Sequence, residues 1–168
     1  MKRTAILLFT FLTLVSCGAS KEKSPSANSP VVESACPPKS ECTFEILAGK
    51  SLDIKNNDAG TYFHLRDTPG KTVYRYTSKK ITDPLIQDAG YSETILFETD
   101  GSLQNLDYSG TAIQKVQLLL NVQCFCRGKA GMYTVKEGTL AYADNKLHIE
   151  IPQLVDGQLT RVVDVSIR

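Results

Sequence analysis

The chain has 168 residues, of which 42% are hydrophobic, with 19 basic and 18 acidic side chains and a formal net charge of +1. This length is enough for one domain with a hydrophobic core. The near balance of charges offers no case for nucleic-acid binding, which depends on an excess of basic side chains.

The N-terminus has the pattern of an export signal. Lys2 and Arg3 precede an apolar run at residues 5–15, and these eleven residues are too few to span a bilayer as a helix, which takes about 20. The run ends in Leu14-Val15-Ser16-Cys17, which resembles the lipobox of bacterial lipoproteins, where a Leu and a small residue precede an invariant Cys. Residues 1–16 are therefore predicted to be a lipoprotein signal peptide.

The resemblance implies that Cys17 is lipidated. In that class of protein the thiol receives a diacylglyceryl group, the signal is cut just before the Cys, and the new amino terminus is usually acylated, for example with palmitate. Such chains hold the protein on the membrane, and the implied location is the cell envelope, at the periplasmic or the surface face of the outer membrane. Cleavage leaves 17 basic and 18 acidic residues, so the expected membrane attachment is covalent and not electrostatic.

Residues 17–41 are predicted to be a flexible tether behind this lipid anchor. The segment 18–41 reads GASKEKSPSANSPVVESACPPKSE and shows neither alternation nor helical periodicity. Proline interrupts it at three sites. If about 20 residues behave as a coil, their root-mean-square length is roughly 25 Å.

The rest of the chain, residues 42–168, has the two-residue period of β-strands. The strongest pattern lies at residues 114–127, where Val116, Leu118, Leu120, Val122, Cys124 and Cys126 share one face. Further strands are predicted at 42–48, 51–55, 60–66, 71–78, 91–99, 131–136, 138–143, 146–151 and 159–167.

Turn signals separate these strands, among them Asn57-Asp58-Ala59-Gly60, Pro69-Gly70 and Asp144-Asn145. The one predicted helical piece follows Asp83-Pro84 and ends near Gly90. Many short strands with tight connections predict a single all-β domain, an antiparallel β-sandwich or a small β-barrel of about eight to ten strands.

The five cysteines are an odd number, and lipidation of Cys17 leaves four for disulfides. Outside the cytoplasm, Cys36, Cys42, Cys124 and Cys126 are predicted to form a disulfide framework with three possible connectivities. A bond across one intervening residue requires a tight ring. Both bonds are therefore expected to join the N-terminal segment to the 124–126 strand, closing loops of roughly 80 to 90 residues with a stabilisation of about 4 kcal/mol.

No catalytic, metal or cofactor residue is predicted. The spacings C-x5-C and C-x-C do not fit the C-x2–4-C pairs of zinc sites, and no redox C-x2-C motif is present. His64 and His148 lie far from the cysteines in sequence, and hydrolase and phosphate-binding motifs are missing. A group of aromatic residues allows two interpretations, a surface on which a sugar could stack or ordinary packing in a β-sheet. The group consists of Tyr62, Tyr74, Tyr76 and Tyr91, with Arg75.

These features predict a lipid-anchored envelope protein whose β domain is a non-catalytic binding or interaction module. Its partners would be the membrane, through the N-terminal lipid, and an envelope protein, a glycan or a small ligand. The alternatives are a hydrolase with a site assembled from distant residues and a carrier with a barrel cavity. The preference for a binding module rests on analogy between small anchored β domains.

Overall fold

A computed structural model describes residues 31–34, 36–58 and 60–167, except for the side chains of Val31–Ser34. These residues form an antiparallel sandwich of two five-stranded sheets, so the predicted all-β sandwich is confirmed and the closed barrel is not. The strands are β1 (Val31–Ser34), β2 (Ser40–Asn57), β3 (Gly60–Lys80), β4 (Tyr91–Asp100), β5 (Leu106–Gly110), β6 (Leu119–Cys124), β7 (Gly131–Thr134), β8 (Gly138–Ala143), β9 (Lys146–Glu150) and β10 (Val162–Ser166).

Sheet 1 has the strand order β1-β10-β9-β8-β5, and sheet 2 has the order β2-β3-β4-β6-β7. The core between the sheets is filled by side chains from alternate strand positions. From sheet 2 these include Tyr74, Tyr76, Ile95, Phe97, Leu120 and Val122, and from sheet 1 Leu140, Leu147, Ile149, Val163 and Val165. The face predicted for Leu120 and Val122 is therefore confirmed.

The strongest predicted strand and the predicted helical piece both differ from the structure. Residues 111–116 form a 3₁₀ helix (Thr111–Val116), so the strand predicted from residue 114 begins only at Leu119. Ile113 and Val116 on this helix are nevertheless buried in the core, which explains why the sequence pattern continues through it. The loop 81–90, predicted to contain a helical turn, has turns and no helix.

β2 and β3 form a long hairpin that extends beyond the rest of sheet 2. β4 pairs with β3 only along Lys71–Lys79, whereas β2 and β3 remain paired from Lys50 opposite Asp67 to Asn57 opposite Gly60. The extension, residues 50–68, is called the arm below. It bends back where the register shifts, beside Gly49 and Gly70, both of which have positive φ angles.

The arm covers part of the outer face of sheet 2. Leu52, which is 5% exposed, packs there on Val73, Leu96 and Leu119. The backbone N–H of Leu52 also donates to Oε2 of the buried Glu98 at 2.8 Å. The Pro69-Gly70 sequence therefore marks a bend in a continuous strand and not the predicted end of one.

The sandwich begins inside the segment predicted to be a tether. Val31–Ser34 pair with β10, with Val31 opposite Ser166 and Ser34 opposite Asp164. Residues 1–30, including the predicted signal peptide and Cys17, lie outside the described residues.

Candidate functional site

The four cysteines of the β domain form two local pairs. The Cα atoms of Cys36 and Cys42 are 5.8 Å apart and those of Cys124 and Cys126 are 5.2 Å apart, and each pair forms a disulfide. The predicted connectivity between the two segments is therefore wrong. Cys42 and Cys124 belong to β2 and β6, which β3 and β4 separate. Three strand spacings of about 4.8 Å place these residues too far apart to bond.

Both disulfides lie at the same end of sheet 2, called the disulfide end below. Cys42 is opposite Ser78 on β3, and Tyr91, the first residue of β4, is opposite Cys124. Three connections meet at this end: the loop 81–90, the turn 125–130 and the loop 151–161. The loop 151–161 comes from sheet 1, so both sheets contribute to this end.

Asp83 organises the loop 81–90. Its carboxylate accepts a hydrogen bond from the N–H of Leu85 at 2.9 Å, and its carbonyl accepts one from the N–H of Ile86 at 3.1 Å. These bonds are typical of a turn that an Asp side chain begins. The side chains of Leu85 and Ile86 in this turn are 89% and 61% exposed.

The disulfide end carries most of the large hydrophobic side chains that are exposed. Eight such side chains are exposed among the described residues, and five of them belong to its three connections. These five, called the apolar loop residues below, are Ile81, Leu85, Ile86, Phe125 and Leu159. Single exposed hydrophobic residues are common on proteins, but a concentration at one end is typical of an interaction surface.

Phe125 stands between two shallow clefts. Its side chain is 84% exposed, although it lies between the two cysteines of a disulfide. One cleft, of about 270 Å³, is bounded by Cys126, Gly90 and Leu159. The other, of about 340 Å³, is bounded by Ser92 and Gln123. The ring therefore projects as a ridge with space on both sides.

Glu93 fixes the loop 151–161 against sheet 2. Its side chain is 1% exposed, and its oxygens accept hydrogen bonds from the N–H groups of Leu159 and Thr160 at 2.8 and 2.6 Å. Tyr91 donates its hydroxyl to the same carboxylate at 2.5 Å. Burial, reinforced by this bond and by the negative charge, raises the pKa of Tyr91 well above its usual value of 10.0. Burial and the Glu93 charge raise the pKa of Tyr76 to about 12.

The charges around the apolar loop residues are mixed. Lys79 and Lys80 line the clefts together with Asp88. Lys129 forms an ion pair with Asp156 at 3.2 Å. Both signs of charge therefore occur beside the apolar loop residues.

The other residues singled out in the sequence do not form a site. Tyr74 and Tyr76 are each 1% exposed in the core, so they cannot line a sugar-binding surface. Tyr62 lies on the arm and makes an edge contact with His64, with ring centroids 5.5 Å apart. His148 Nδ1 lies 2.7 Å from Asp164 Oδ1 on the outer face of sheet 1, where both side chains are about 40% exposed.

The sequence identified the cysteines of this end but not its apolar loop residues. Phe125 occupies a polar-face position of the alternating pattern, and Leu85 and Ile86 follow Asp83-Pro84 in a segment predicted to turn. The sequence did contain a signal for exposed apolar side chains: an apolar residue at a polar-face position of a strand, or an apolar residue in a turn.

Residues 36–58 and 60–167 contain no group of three or more His, Cys, Asp or Glu side chains placed to hold a metal ion. No helix within the described part of the chain is both long and apolar enough to cross a membrane. Comparison with known proteins gives no match to a family model, a curated protein or a solved structure.

Proposed function

We propose that the protein is a lipid-anchored envelope lipoprotein and that its β-sandwich is a non-catalytic module that binds another protein through the disulfide end. The observation that supports this proposal is the concentration of the five apolar loop residues on the three connections at one end of the sandwich. Lipidation of Cys17, export and attachment at the outer membrane are part of the same proposal and rest on the lipobox resemblance.

A protein partner fits this surface better than a lipid bilayer. Side chains of a partner can enter the clefts on either side of Phe125, as anchors do in protein interfaces. Charged side chains of both signs would form the polar rim that surrounds such anchors in protein interfaces. They are Lys80, Asp88 and the Lys129–Asp156 ion pair. An anionic bilayer would instead favour a surface that is basic throughout.

The surface is held in shape before any partner binds. Glu93 ties the loop 151–161 to sheet 2, and the Cys36–Cys42 disulfide joins the segment before β2 to the start of that strand. Gln158 closes the loop from within, since its side chain accepts from the N–H of Leu154 at 2.7 Å and donates to the carbonyl of Thr160 at 2.8 Å. Preorganisation of this kind lowers the entropic cost of association.

The direction of β1 places this surface away from the proposed anchor. β1 runs from the end of sheet 1 where Ser166 and Lys146 lie, toward Cys36 and the disulfide end. A tether that precedes β1 would therefore meet the sandwich at the opposite end. A protein anchored through Cys17 would hold the apolar loop residues toward the space beyond the membrane.

Site-specific photocrosslinking in the cells that produce the protein tests the proposal. With p-benzoylphenylalanine in place of Phe125, we expect a covalent adduct with one partner protein. The same group in place of Lys146, which is exposed at the opposite end, should not form that adduct. Leu85→Ser should weaken the adduct at position 125. Adducts with lipid, adducts with a second copy of this chain, or equal adducts at both positions would contradict the proposal.

A further inference from the structure

The arm leaves part of the outer face of sheet 2 open. Leu52 holds the arm against one part of this face. Beside that contact lies a cleft of about 460 Å³, bordered by Phe63 on the arm and by Gln123, the residue before Cys124. This cleft, called the outer groove below, has the size of an ordinary ligand site, which is about 300–1,000 Å³.

A row of uncharged polar side chains forms the floor of the outer groove. Four of the residues that line it lie directly opposite one another on β2, β3, β4 and β6: Thr43, Thr77, Thr94 and Asn121. Ile95 and Val122, which follow Thr94 and Asn121 in the chain, point into the core. Because successive residues of a strand point to opposite faces, the row faces outward.

Part of the hydrogen-bonding capacity of this row is not used by the protein itself. The hydroxyl oxygens of Thr77 and Thr94 lie 3.3 Å apart. Within the described residues, the side chains of Thr43 and Asn121 have no hydrogen-bond partner. A carboxamide has two donor hydrogens and an acceptor oxygen, and a hydroxyl can both donate and accept. The floor therefore offers donors and acceptors side by side to a ligand.

The charged side chains that line the outer groove are paired with each other. They are Glu45 and Arg75, which lie opposite one another on β2 and β3. Arg75 Nε donates to Glu45 Oε2 at 2.6 Å. The lining thus has one positive and one negative group and no excess of either sign. Charge complementarity consequently favours a neutral ligand over an ionic one.

Phe63 adds an aromatic side chain to this polar floor. It packs beside the contact that Leu52 makes with sheet 2, but it is only partly buried. Part of the ring is therefore available to a ligand in the groove. A sugar ring matches both features, because its hydroxyl groups donate and accept hydrogen bonds and its C–H groups pack on the face of an aromatic ring.

We propose that the outer groove binds a neutral oligosaccharide, with Asn121 and the threonines of the row bonding its hydroxyl groups and Phe63 packing on a sugar ring. An added peptide strand fits less well, since β3, β4 and β6 beneath the groove are paired on both sides and have no free edge. The groove lies on the face of sheet 2, so this ligand is additional to the protein partner proposed for the disulfide end.

Calorimetric titration with sugars of defined charge tests the proposal. The full chain with Cys17→Ser is titrated with three neutral probes, which are cellohexaose, maltohexaose and the β1,4-linked hexamer of N-acetylglucosamine. A sulfated heparin hexasaccharide is the charged comparison. We expect saturable binding of at least one neutral probe and weaker binding of the sulfated one. Absence of binding to all three neutral probes, or tighter binding of the sulfated probe, would overturn the proposal.

Substitution of Asn121 tests whether a bound sugar lies in the groove. Asn121→Ala removes the unpartnered carboxamide, and we expect it to raise the dissociation constant of the bound neutral probe about tenfold. Asn105→Ala is the matched control, because Asn105 is exposed in a loop outside the groove. The control should leave the dissociation constant unchanged. Equal dissociation constants for the two variants would show that the sugar binds elsewhere.

Substitution of Phe63 tests the aromatic contact separately. Phe63→Leu keeps an apolar side chain against sheet 2 but removes the ring, and we expect about fivefold weaker binding of the same probe. Tyr62→Leu removes a ring from the neighbouring position, which points to the opposite face of the arm and contacts His64. This control should bind the probe as the unsubstituted residue does. Weakening by Tyr62→Leu that equals or exceeds the effect of Phe63→Leu would contradict the proposed geometry.

Discussion

Glu93 connects the two sheets through one buried carboxylate. Its oxygens accept bonds from the backbone of Leu159 and Thr160 and from Tyr91. Glu93→Gln keeps the size of the side chain but removes the charge and turns an amide NH₂ toward a donor. Hydrogen bonds to charged groups contribute about 1.5–3 kcal/mol, so we expect the free energy of unfolding in urea to fall by about 2–3 kcal/mol.

Glu150→Gln is the matched control, because Glu150 is exposed on β9. We expect this substitution to change the free energy of unfolding by less than about 0.5 kcal/mol. Equal urea midpoints for the two variants would show that Glu93 does not hold the loop 151–161.

The raised pKa values of Tyr76 and Tyr91 predict a loss of stability in alkali. Tyr76 ionises at about pH 12 in the folded protein, against 10.0 for an ordinary tyrosine. Between these values the folded protein retains protons that the unfolded chain releases. Their contribution to stability is therefore complete below pH 10 and is lost as the pH rises toward 12.

Thermal unfolding across this pH range checks the prediction. Tyr76→Phe removes one of the two groups and should make the decline of the melting temperature with pH less steep. Tyr62→Phe, at a side chain that is 40% exposed, serves as the control and should leave the steepness unchanged. A melting temperature that is constant through this range in the unsubstituted protein would contradict the prediction.

The local cysteine pairing predicts which thiol a single substitution releases. In a Cys17→Ser background, Cys36→Ser should leave Cys42 as the free thiol, because these two residues are bonded to each other. Alkylation under denaturing conditions without reductant, followed by peptide mass spectrometry, identifies the labelled residue. A label on Cys124 or Cys126 would instead support the connectivity predicted from the sequence, in which the disulfides join the N-terminal segment to the 124–126 strand.

At the scale of secondary-structure elements, the arm is held on sheet 2 by a small apolar contact. Leu52 packs on Val73, Leu96 and Leu119. Leu52→Ala leaves a cavity there, and we expect it to lower the free energy of unfolding by about 2–4 kcal/mol. Leu65→Ala, on the same arm but with a side chain that is 38% exposed, should cost less than about 1 kcal/mol. Limited proteolysis should then cut within residues 50–68 of the Leu52 variant only.

Strand alternation predicted the fold class and the phase of β6, because one face of each strand contacts a single continuous core. It did not predict the arm, since Pro69-Gly70 is equally suited to a turn and to a bend within a strand. Leu119 shows the same limit. It lies on the polar phase of its strand yet is fully buried, because residues distant in sequence cover that face.

The candidate site was less predictable than the fold. The cysteines were evident from the sequence, but their pairing depends on the order of strands in sheet 2, which places β3 and β4 between Cys42 and Cys124. Exposure of the Phe125 side chain depends on the turn 125–130. In this turn the N–H groups of Lys129 and Ala130 donate hydrogen bonds to the carbonyl of Cys126. Neither property follows from local periodicity.

For the whole molecule, the proposed anchorage depends on one thiol. Cys17→Ser removes the group that the lipid would modify, and the apolar run at residues 5–15 is too short to hold the protein in a bilayer. We expect the variant to leave the membrane fraction on cell fractionation. Intact mass of the unsubstituted protein should show an acylated Cys17 as its first residue, and any other N-terminus would contradict lipidation.

The entry of the chain through β1 also determines how the molecule would bear tension. Between an anchored N-terminus and a partner at the disulfide end, a pulling force acts along the axis of β1. Antiparallel hydrogen bonds run perpendicular to their strands, so the bonds between β1 and β10 are loaded in shear, all at once, and not opened one by one. Behind them, the Cys36–Cys42 bond stops the load from lengthening the segment that leads into β2. In a protein anchored in this way, the four residues of β1 would be the first mechanical link between the proposed tether and the sandwich.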